Sequence, residues 1–253
     1  MKRIIICALC FAFSLGLTNA QKLDFWLDAG IKVQYGFTAL FNANATTANA
    51  NGERWDNTLA SGTKFGGKIG INFNYTGITL DVLSGRHSAR FQSLGSNGAT
   101  ERTDQIDINV TDIYLLLRNA KYKGYFEIGP KISLVGDVRD NLNTRDLNDL
   151  YETNNLGAVL GFGTYILGPE DGRFSGILGF RFEYGFQDIV NETGRIEGGE
   201  RLRVPVNYGG EAASTNPIFV GLVFEANWGI GGVGQARCGE LSLIHISEPT
   251  RPY

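Results

Sequence analysis

The 253-residue sequence has few residues with reactive side chains, with only three cysteines and two histidines. Cys7 and Cys10 lie in the first twenty residues, which leaves Cys238 as the one remaining thiol. A single thiol forms neither a disulfide framework nor a cysteine metal site. Charge is also scarce: Asp, Glu, Lys and Arg make up 19% of the chain, below the roughly 25% usual for soluble domains. The net charge of −3 gives no basic patch that would indicate nucleic acid as a partner.

The two ends of the chain differ in character from the middle. Residues 1–20 combine a basic start at Lys2 and Arg3, a short apolar stretch and a small-residue end at Ala20, which predicts a secretory signal peptide. Residues 241–253, LSLIHISEPTRPY, lack the glycine and aromatic texture of the rest and look like a translated sequencing adapter. Treating them as non-native excludes His245 from any site. We expect the domain to span residues 21–240 and leave open whether strands are missing beyond residue 240.

The middle of the chain alternates apolar and polar residues with a period of two. In DFWLDAGIKVQYGF, residues 24–37, the odd-numbered side chains are apolar and the even-numbered ones are mostly polar or glycine. Such alternation predicts a β-strand. Seven further strands are predicted at residues 65–75, 78–91, 105–118, 125–135, 156–167, 174–188 and 218–228. The phase changes near Leu83–Ser84 and Thr111–Asp112, which predicts two β-bulges.

The connections between these eight strands alternate in length. Long polar stretches cover residues 42–64, 92–104, 137–155 and 190–216, and short turns separate the remaining neighbours. Short periplasmic turns and longer external loops are typical of membrane barrels. The predicted fold is therefore all-β, an eight-stranded antiparallel up-and-down transmembrane β-barrel with four long external loops.

The polar faces of the strands indicate what fills this barrel. They are rich in Gly, Asn, Thr and Gln, and their few charges come in both signs. Buried charges need partners, so we predict a salt-bridged, filled lumen. Its predicted members are Asp28, Lys32, Gln34, Lys68, Asn72, Asp81, Glu127, Lys131, Arg181, Glu183 and Glu225.

The apolar faces carry aromatic residues near several strand ends. Aromatic residues concentrate at the two interfaces of a membrane barrel. The predicted lipid-facing and girdle residues are Phe25, Tyr35, Phe37, Tyr75, Phe182, Tyr184, Phe186 and Trp228.

Residues 113–135, IYLLLRNAKYKGYFEIGPKISLV, carry an apolar leucine-rich strand, a short basic turn and an aromatic-acid-apolar-Gly-Pro strand. This hairpin resembles the outer-membrane β-barrel domain of Bacteroidota, the PorT-like group of OmpA-like barrels, and the likeness extends loosely over the mature region. The resemblance implies export to the outer membrane of a Gram-negative bacterium. The implied partners are outer-membrane lipid, the barrel assembly machinery and an unnamed envelope or extracellular protein. The aromatic terminal residue expected of such barrels is not visible.

Motifs for catalysis and for cofactors are weak. His87, with Ser84 or Ser88 and Asp81, could be arranged as a hydrolase triad, but no nucleophile elbow accompanies them. GIGGVG, residues 229–234, has the spacing of a dinucleotide fingerprint without the following helix. The loop at residues 137–155 is acidic but lacks EF-hand order. We therefore predict no catalytic residue, no cofactor and no metal.

The predicted role is that of a non-enzymatic outer-membrane barrel with a structural or binding function in its external loops. Three alternatives remain open from the sequence. The chain could be a truncated, larger porin-like channel, or a secreted soluble lipocalin-like barrel that binds a small ligand. It could also be a barrel enzyme that uses His87.

Overall fold

The computed structural model describes residues 25–42, 54–73, 75–121, 123–140, 145–168, 174–197 and 213–232. The predicted signal peptide and the adapter-like tail both lie outside these residues. No helix in the described ranges is long and apolar enough to cross a membrane.

Strands make up most of the described chain. They are β1 (Phe25–Asn42), β2 (Arg54–Thr58), β3 (Ala60–Phe73), β4 (Thr76–Leu94), β5 (Thr100–Lys121), β6 (Gly124–Asp140), β7 (Arg145–Asp146), β8 (Asn154–Leu167), β9 (Phe174–Gly185) and β10 (Thr215–Gly232). A 3-10 helix follows β7 at Asn148–Leu150, and a short helix, α1, covers Glu192–Glu197.

Eight of these strands form a closed antiparallel ring in the order β1, β3, β4, β5, β6, β8, β9 and β10. The ring closes because β1 pairs with β10, from Trp26 opposite Gly232 to Asn42 opposite Thr215. β2 pairs with the end of β4, and β7 pairs with the end of β6. The predicted eight-stranded up-and-down barrel is confirmed.

All four predicted polar loops contain strand residues, and the first two contain the most. β2 and the first part of β3 fall within residues 42–64, and the stretch at residues 92–104 contains only a tight turn between β4 and β5. In that turn the Gly98 amide donates to the Gly95 carbonyl at 2.8 Å, and Gly98 has a φ of 76°, a conformation that glycine adopts without strain. The strands continue beyond the apolar stretches because hydrogen bonding between backbones does not require apolar side chains.

Neither predicted β-bulge lies in the pairing of β4 with β5, and the irregularity nearest to Thr111–Asp112 is a register shift between Ile108 and Val110 in the pairing of β5 with β6. β4 and β5 pair without interruption from Thr76 opposite Asn119 to Ser93 opposite Arg102, so neither Leu83–Ser84 nor Thr111–Asp112 breaks the alternation. On β5 the even-numbered residues Ile106, Ile108 and Val110 point inward, as do Asp112 and Tyr114 further along. The inward side chains change from apolar to polar at this level. In the sequence, this change looks like a shift in the apolar–polar alternation of the strand.

The barrel wall is apolar outside and polar inside over most of its height. Ile69, Leu115, Ile128 and Leu222 are exposed on the outside, while lysine, arginine and carboxylate side chains are buried inside. Near the long loops the interior becomes apolar. This outer core consists of Leu40, Ala89, Phe91, Ile106, Ile108, Val110, Val138, Leu147, Leu150, Tyr151, Ile189 and Val190.

Candidate functional site

Alternation along the strands directs charged side chains into the barrel, where they form two groups of ion pairs. The inner cluster, nearer the short turns, comprises Asp28, Lys32, Lys68, Asp81, Arg118, Glu127, Arg181 and Glu225. The outer cluster, nearer the long loops, comprises Lys64, Asp112, Lys131 and Glu183.

Glu225 is the central acceptor of the inner cluster. Its carboxylate lies 3.0 Å from the Lys32 ammonium, 2.7 Å from the Lys68 ammonium and 2.7 Å from the Arg118 guanidinium. Lys32 is the register partner of Glu225 across the β1–β10 seam. The amide of Asn227 also donates to Glu225 at 2.6 Å. A single carboxylate thus ties together side chains from β1, β3, β5 and β10.

Arg181 connects two strands that are not neighbours. Its guanidinium donates to Glu127 on β6 at 2.5 Å and to Asp81 on β4 at 3.2 Å. β8 lies between β6 and β9, and Gly161 is the β8 residue opposite both Glu127 and Arg181. A Cβ atom at Gly161 would lie 2.8 Å from Cγ of Glu127. Glycine therefore leaves the space in which these two charges meet.

The outer cluster is a set of two ammonium groups and two carboxylates arranged around Tyr114. Lys64 lies 2.6 Å from Asp112 and 2.8 Å from Glu183, and Lys131 lies 2.8 Å from Glu183. The Tyr114 hydroxyl donates within this set, with Asp112 at 2.9 Å and Glu183 at 3.0 Å. The Arg181 guanidinium lies 4.9 Å from the centre of the Tyr114 ring, a cation–π distance. Tyr114 therefore links the two clusters.

Each cluster is neutral by itself. The inner cluster holds four cations and four anions, and the outer cluster holds two of each. Burying a charge without a partner is very costly, and removing one member of a buried pair typically costs about 3–5 kcal/mol. Balance within each cluster allows twelve charges to occupy an interior with little water.

Three potential metal ligands meet beside the outer cluster. One ligand atom each from His87, Asp112 and Glu183 can be chosen so that all lie within 4.8 Å of one another. Lys64 and Lys131 already contact the two carboxylates at distances of 2.6–3.8 Å. The ammonium groups neutralise the acids that would attract a metal ion, so these residues do not fit a resident metal.

The residues of the possible hydrolase triad lie on different faces of the barrel wall. His87 points inward and stacks on Phe219, with ring centroids 6.0 Å apart. Ser84 is exposed on the outside, and the Ser88 hydroxyl donates to Asp107 at 2.6 Å. Asp81 belongs to the inner cluster, where it pairs with Lys32. A nucleophile, a base and an orienting acid need mutual hydrogen bonds, which this arrangement does not provide.

The outer core is covered by the two connections that follow β6 and β9. The Glu152 amide donates to the Ile189 carbonyl at 2.8 Å, and the Asn191 amide donates to the Leu150 carbonyl at 3.1 Å. The Asn191 side chain adds donations to the carbonyls of Asp149 at 2.9 Å and Tyr151 at 3.2 Å. These bonds join the two connections into one cap over the apolar end of the barrel.

Tyr151 attaches this cap to the outer core. Its side chain is buried in the outer core, and burial raises the pKa of its phenol, with a further contribution from the Asp140 carboxylate. The Tyr151 phenol is therefore neutral at physiological pH.

Little space is left inside the barrel. A cavity of about 10 Å³ lies between the outer cluster and the outer core, beside His87, Ser133 and Asn155. A second of about 20 Å³ lies at the inner end, beside Asp28 and Asn72. Such volumes hold about one water molecule each. Neither of these two cavities could accommodate a small organic ligand.

The structure places the eleven predicted lumen residues inside the barrel or at its inner end. Nine of them belong to the clusters, and the Gln34 side-chain oxygen lies 3.5 Å from the Tyr114 hydroxyl. Asn72, half-buried, lies at the inner end beside Asp28. The prediction lacked Lys64, Asp112, Tyr114 and Arg118. Lys64 fell in a predicted loop and Asp112 in a supposed bulge, whereas extending the alternation of β3 and β5 would have found both.

The predicted girdle residues lie on the outer wall wherever their side chains are described. Tyr35, Phe37, Tyr75, Phe182, Phe186 and Trp228 are exposed, and Tyr184 is half-buried. The side chain of Phe25 lies outside the described residues. Some of these rings contact each other, as Phe174 and Trp228 do with ring centroids 5.5 Å apart.

Comparisons with known proteins give matches only among solved structures. No family model and no curated protein matches the chain. Neisserial surface protein A is 12% identical over 81% of this chain and 96% of its own, with a TM-score of 0.39. The outer membrane protein OprG from Pseudomonas aeruginosa is 12% identical over 83% of this chain and 96% of its own, with a TM-score of 0.35. At these scores, the fold described above rests on the strand pairing of this chain itself.

Proposed function

We propose that this chain is an integral outer-membrane β-barrel protein without enzymatic activity, which holds a rigid loop surface outside the membrane. The observation that carries the proposal is that the distribution of side chains is the reverse of that in a water-soluble barrel. Apolar residues cover the outer wall on all sides, and twelve charges are paired inside. In water this arrangement would expose a large apolar surface, whereas in a bilayer lipid covers that surface.

The filled interior favours a structural or binding role over transport. Side chains of the two clusters cross the lumen, and the two cavities beside them hold about one water molecule each. β1 and β10 pair along their length, so the described ring already closes at eight strands. The larger channel and the soluble ligand-binding barrel are both less consistent with this interior.

The cap supports a role for the external loops. Hydrogen bonds and the outer core hold residues 145–153 and 186–197 in a fixed arrangement. Loops that are positioned by a rigid scaffold commonly carry recognition. The proposal includes an envelope or extracellular protein as the partner, and membership of the PorT-like group rests on the hairpin at residues 113–135 alone.

Membrane fractionation of the expressed full chain tests the central claim. We expect the protein in the outer-membrane fraction, soluble only with detergent, and a faster-migrating folded form on unheated gels. Recovery in the periplasmic fraction without detergent would contradict the proposal. Refolding from urea into lipid vesicles, followed by tryptophan fluorescence, provides an independent measure of insertion.

Conductance across planar bilayers separates a filled barrel from a channel. The inserted protein should show no steady single-channel current, because the clusters block the lumen. A reproducible open-channel current from the wild-type barrel would favour the porin-like alternative.

A further inference from the structure

The outer wall carries a groove of mixed polar and apolar lining on β3, β4 and β5, on the side of the long loops. Its volume is about 440 Å³, and its lining includes Ser61, Thr63, Ser84, Arg86 and Asn109. These side chains point away from the barrel axis, so the groove does not belong to the charged interior. It faces whatever surrounds the barrel at that height.

The position of the groove relative to the apolar wall places it in the headgroup region. Phe65 lines its lower edge, lies opposite Ser84 and is strongly exposed. The next outward row toward the short turns is apolar, with Val82 opposite Ile113. Arg86 lies one outward position beyond Ser84, about 7 Å along the strand. Because the headgroup layers add about 10–15 Å to the hydrocarbon thickness, Arg86 lies within one of them.

Aromatic rings flank the groove at the same level. Tyr35 is the register partner of Thr63, and Phe37 is that of Ser61. Both rings are exposed on the outer wall. Exposed Tyr and Phe side chains concentrate at membrane interfaces, which gives a second indication of the height of the groove.

Arg86 is available for an external ligand. Its side chain is 63% exposed, and its ion pair with Asp107 is a single contact at 3.3 Å. Asp107 also accepts from the Ser88 hydroxyl at 2.6 Å and from the Gln105 amide at 3.1 Å. A guanidinium has five N–H donors, so most of those of Arg86 remain free.

On the basis of the proposed membrane location, we infer that this groove binds a phosphate group on the headgroup of an outer-leaflet glycolipid. Arg86 contributes the charge and the bidentate donors that phosphate prefers. The hydroxyl and amide groups of Ser61, Thr63, Ser84 and Asn109 provide hydrogen-bond partners for the sugar. Phe65 and Tyr35 contact the first part of the acyl chains.

Binding of diphosphorylated lipid A to the detergent-solubilised, folded protein tests this inference. We expect Arg86→Gln to weaken binding by about fivefold, because it removes an exposed charge-assisted contact. Asp107→Asn should strengthen binding by about twofold, since it removes the anion nearest to the phosphate. Arg102→Gln is the matched control, since Arg102 is 43% exposed, pairs with Asp104 and lies opposite Ser93, away from the groove. It should bind as the wild type does.

The alternatives give different results. Equal affinities for Arg86→Gln and Arg102→Gln would overturn the inference, as would equal binding of dephosphorylated lipid A. Full competition by millimolar inorganic phosphate would identify a free-anion site and also overturn it. Insertion of each variant into vesicles is measured in parallel. Failure of the wild type to insert would contradict the membrane proposal itself, whereas normal insertion with unchanged lipid affinities would remove only the glycolipid site.

Discussion

The lower part of the barrel, nearer the short turns, and the upper part, nearer the long loops, place polar and apolar side chains on opposite faces of the same strands. Along β5, the inward residues Asp112 and Arg118 are charged and the outward Leu115 is apolar. Further up the same strand, the inward Ile106 and Ile108 are apolar and the outward Asp107 and Asn109 are polar. The alternation of inward and outward residues along β5 does not change. The level in the barrel therefore determines whether the inward or the outward side chains are polar. The lower part has polar groups inside and apolar groups outside, and the upper part has the reverse, as a water-soluble protein does.

The largest expected effect comes from breaking the charge balance of the lower part. Arg181→Met leaves Asp81 and Glu127 without their shared donor, and we expect a loss of about 3–5 kcal/mol in the free energy of unfolding. Urea titration of the vesicle-inserted protein, followed by tryptophan fluorescence, measures it. Arg139→Met, at an exposed arginine, should change stability by less than about 0.5 kcal/mol. Equal effects of the two substitutions would show that the inner cluster does not stabilise the barrel.

An arginine introduced on the outer wall tests where the lower part ends. Leu115→Arg places a charge against lipid and should cost about 2–4 kcal/mol, whereas Asn109→Arg, on the same face of β5, should cost about 0–1 kcal/mol. The same urea titration in vesicles compares the two variants. A similar cost at both positions would mean that the apolar band extends to the level of Asn109.

Restoring charge balance within the outer cluster should rescue most of the stability lost in single variants. Lys131→Met and Glu183→Gln each leave one uncompensated charge and should cost about 3 kcal/mol apiece. The double variant keeps the Lys64–Asp112 pair at 2.6 Å and should lie within about 1 kcal/mol of the wild type. A double-mutant cycle measures this coupling. Strictly additive losses would contradict the neutrality of the cluster.

The smallest effect is expected in the cap. Asn191→Ala removes two donations to the carbonyls of Asp149 and Tyr151, each worth about 0.5–1.5 kcal/mol. Hydrogen exchange should show faster opening of the cap while the barrel strands stay protected. Asn119→Ala, which removes an exposed contact with Thr76 at the opposite end, should leave the cap unchanged. Loss of protection throughout the barrel would show that the cap and the strands open together.

The sequence predicted the lower part of the molecule better than the upper part. Where one face is apolar and the other polar, a period of two is visible, and the strands containing Lys32, Glu127 and Glu183 were found from it. The upper ends of β4 and β5 are polar outside and only locally apolar inside, so they looked like loops. The apparent bulge at Thr111–Asp112 has the same origin, because it marks the level at which inside and outside exchange their chemistry.

Pairing within the clusters could not have been predicted from the pattern. Lys64 and Glu183 are 119 positions apart, and Arg181 and Asp81 are 100 positions apart. The pairing of the inward-facing charged side chains depends on the stagger between strands and on the space that Gly161 leaves opposite Glu127. Alternation supplies the face of each residue, but the height of a residue in the barrel requires the register of every strand.

The place of Glu225 at the β1–β10 seam has a consequence for the order in which the protein folds. Until β10 arrives, the inner cluster holds the four cations Lys32, Lys68, Arg118 and Arg181 against three carboxylates. A sheet that lacks β10 therefore carries one uncompensated positive charge in the inner cluster, and such a charge is costly to bury. Adding the last strand removes that charge. The carboxylate that ties four strands together in the finished barrel thus also favours closure of the ring by its last strand.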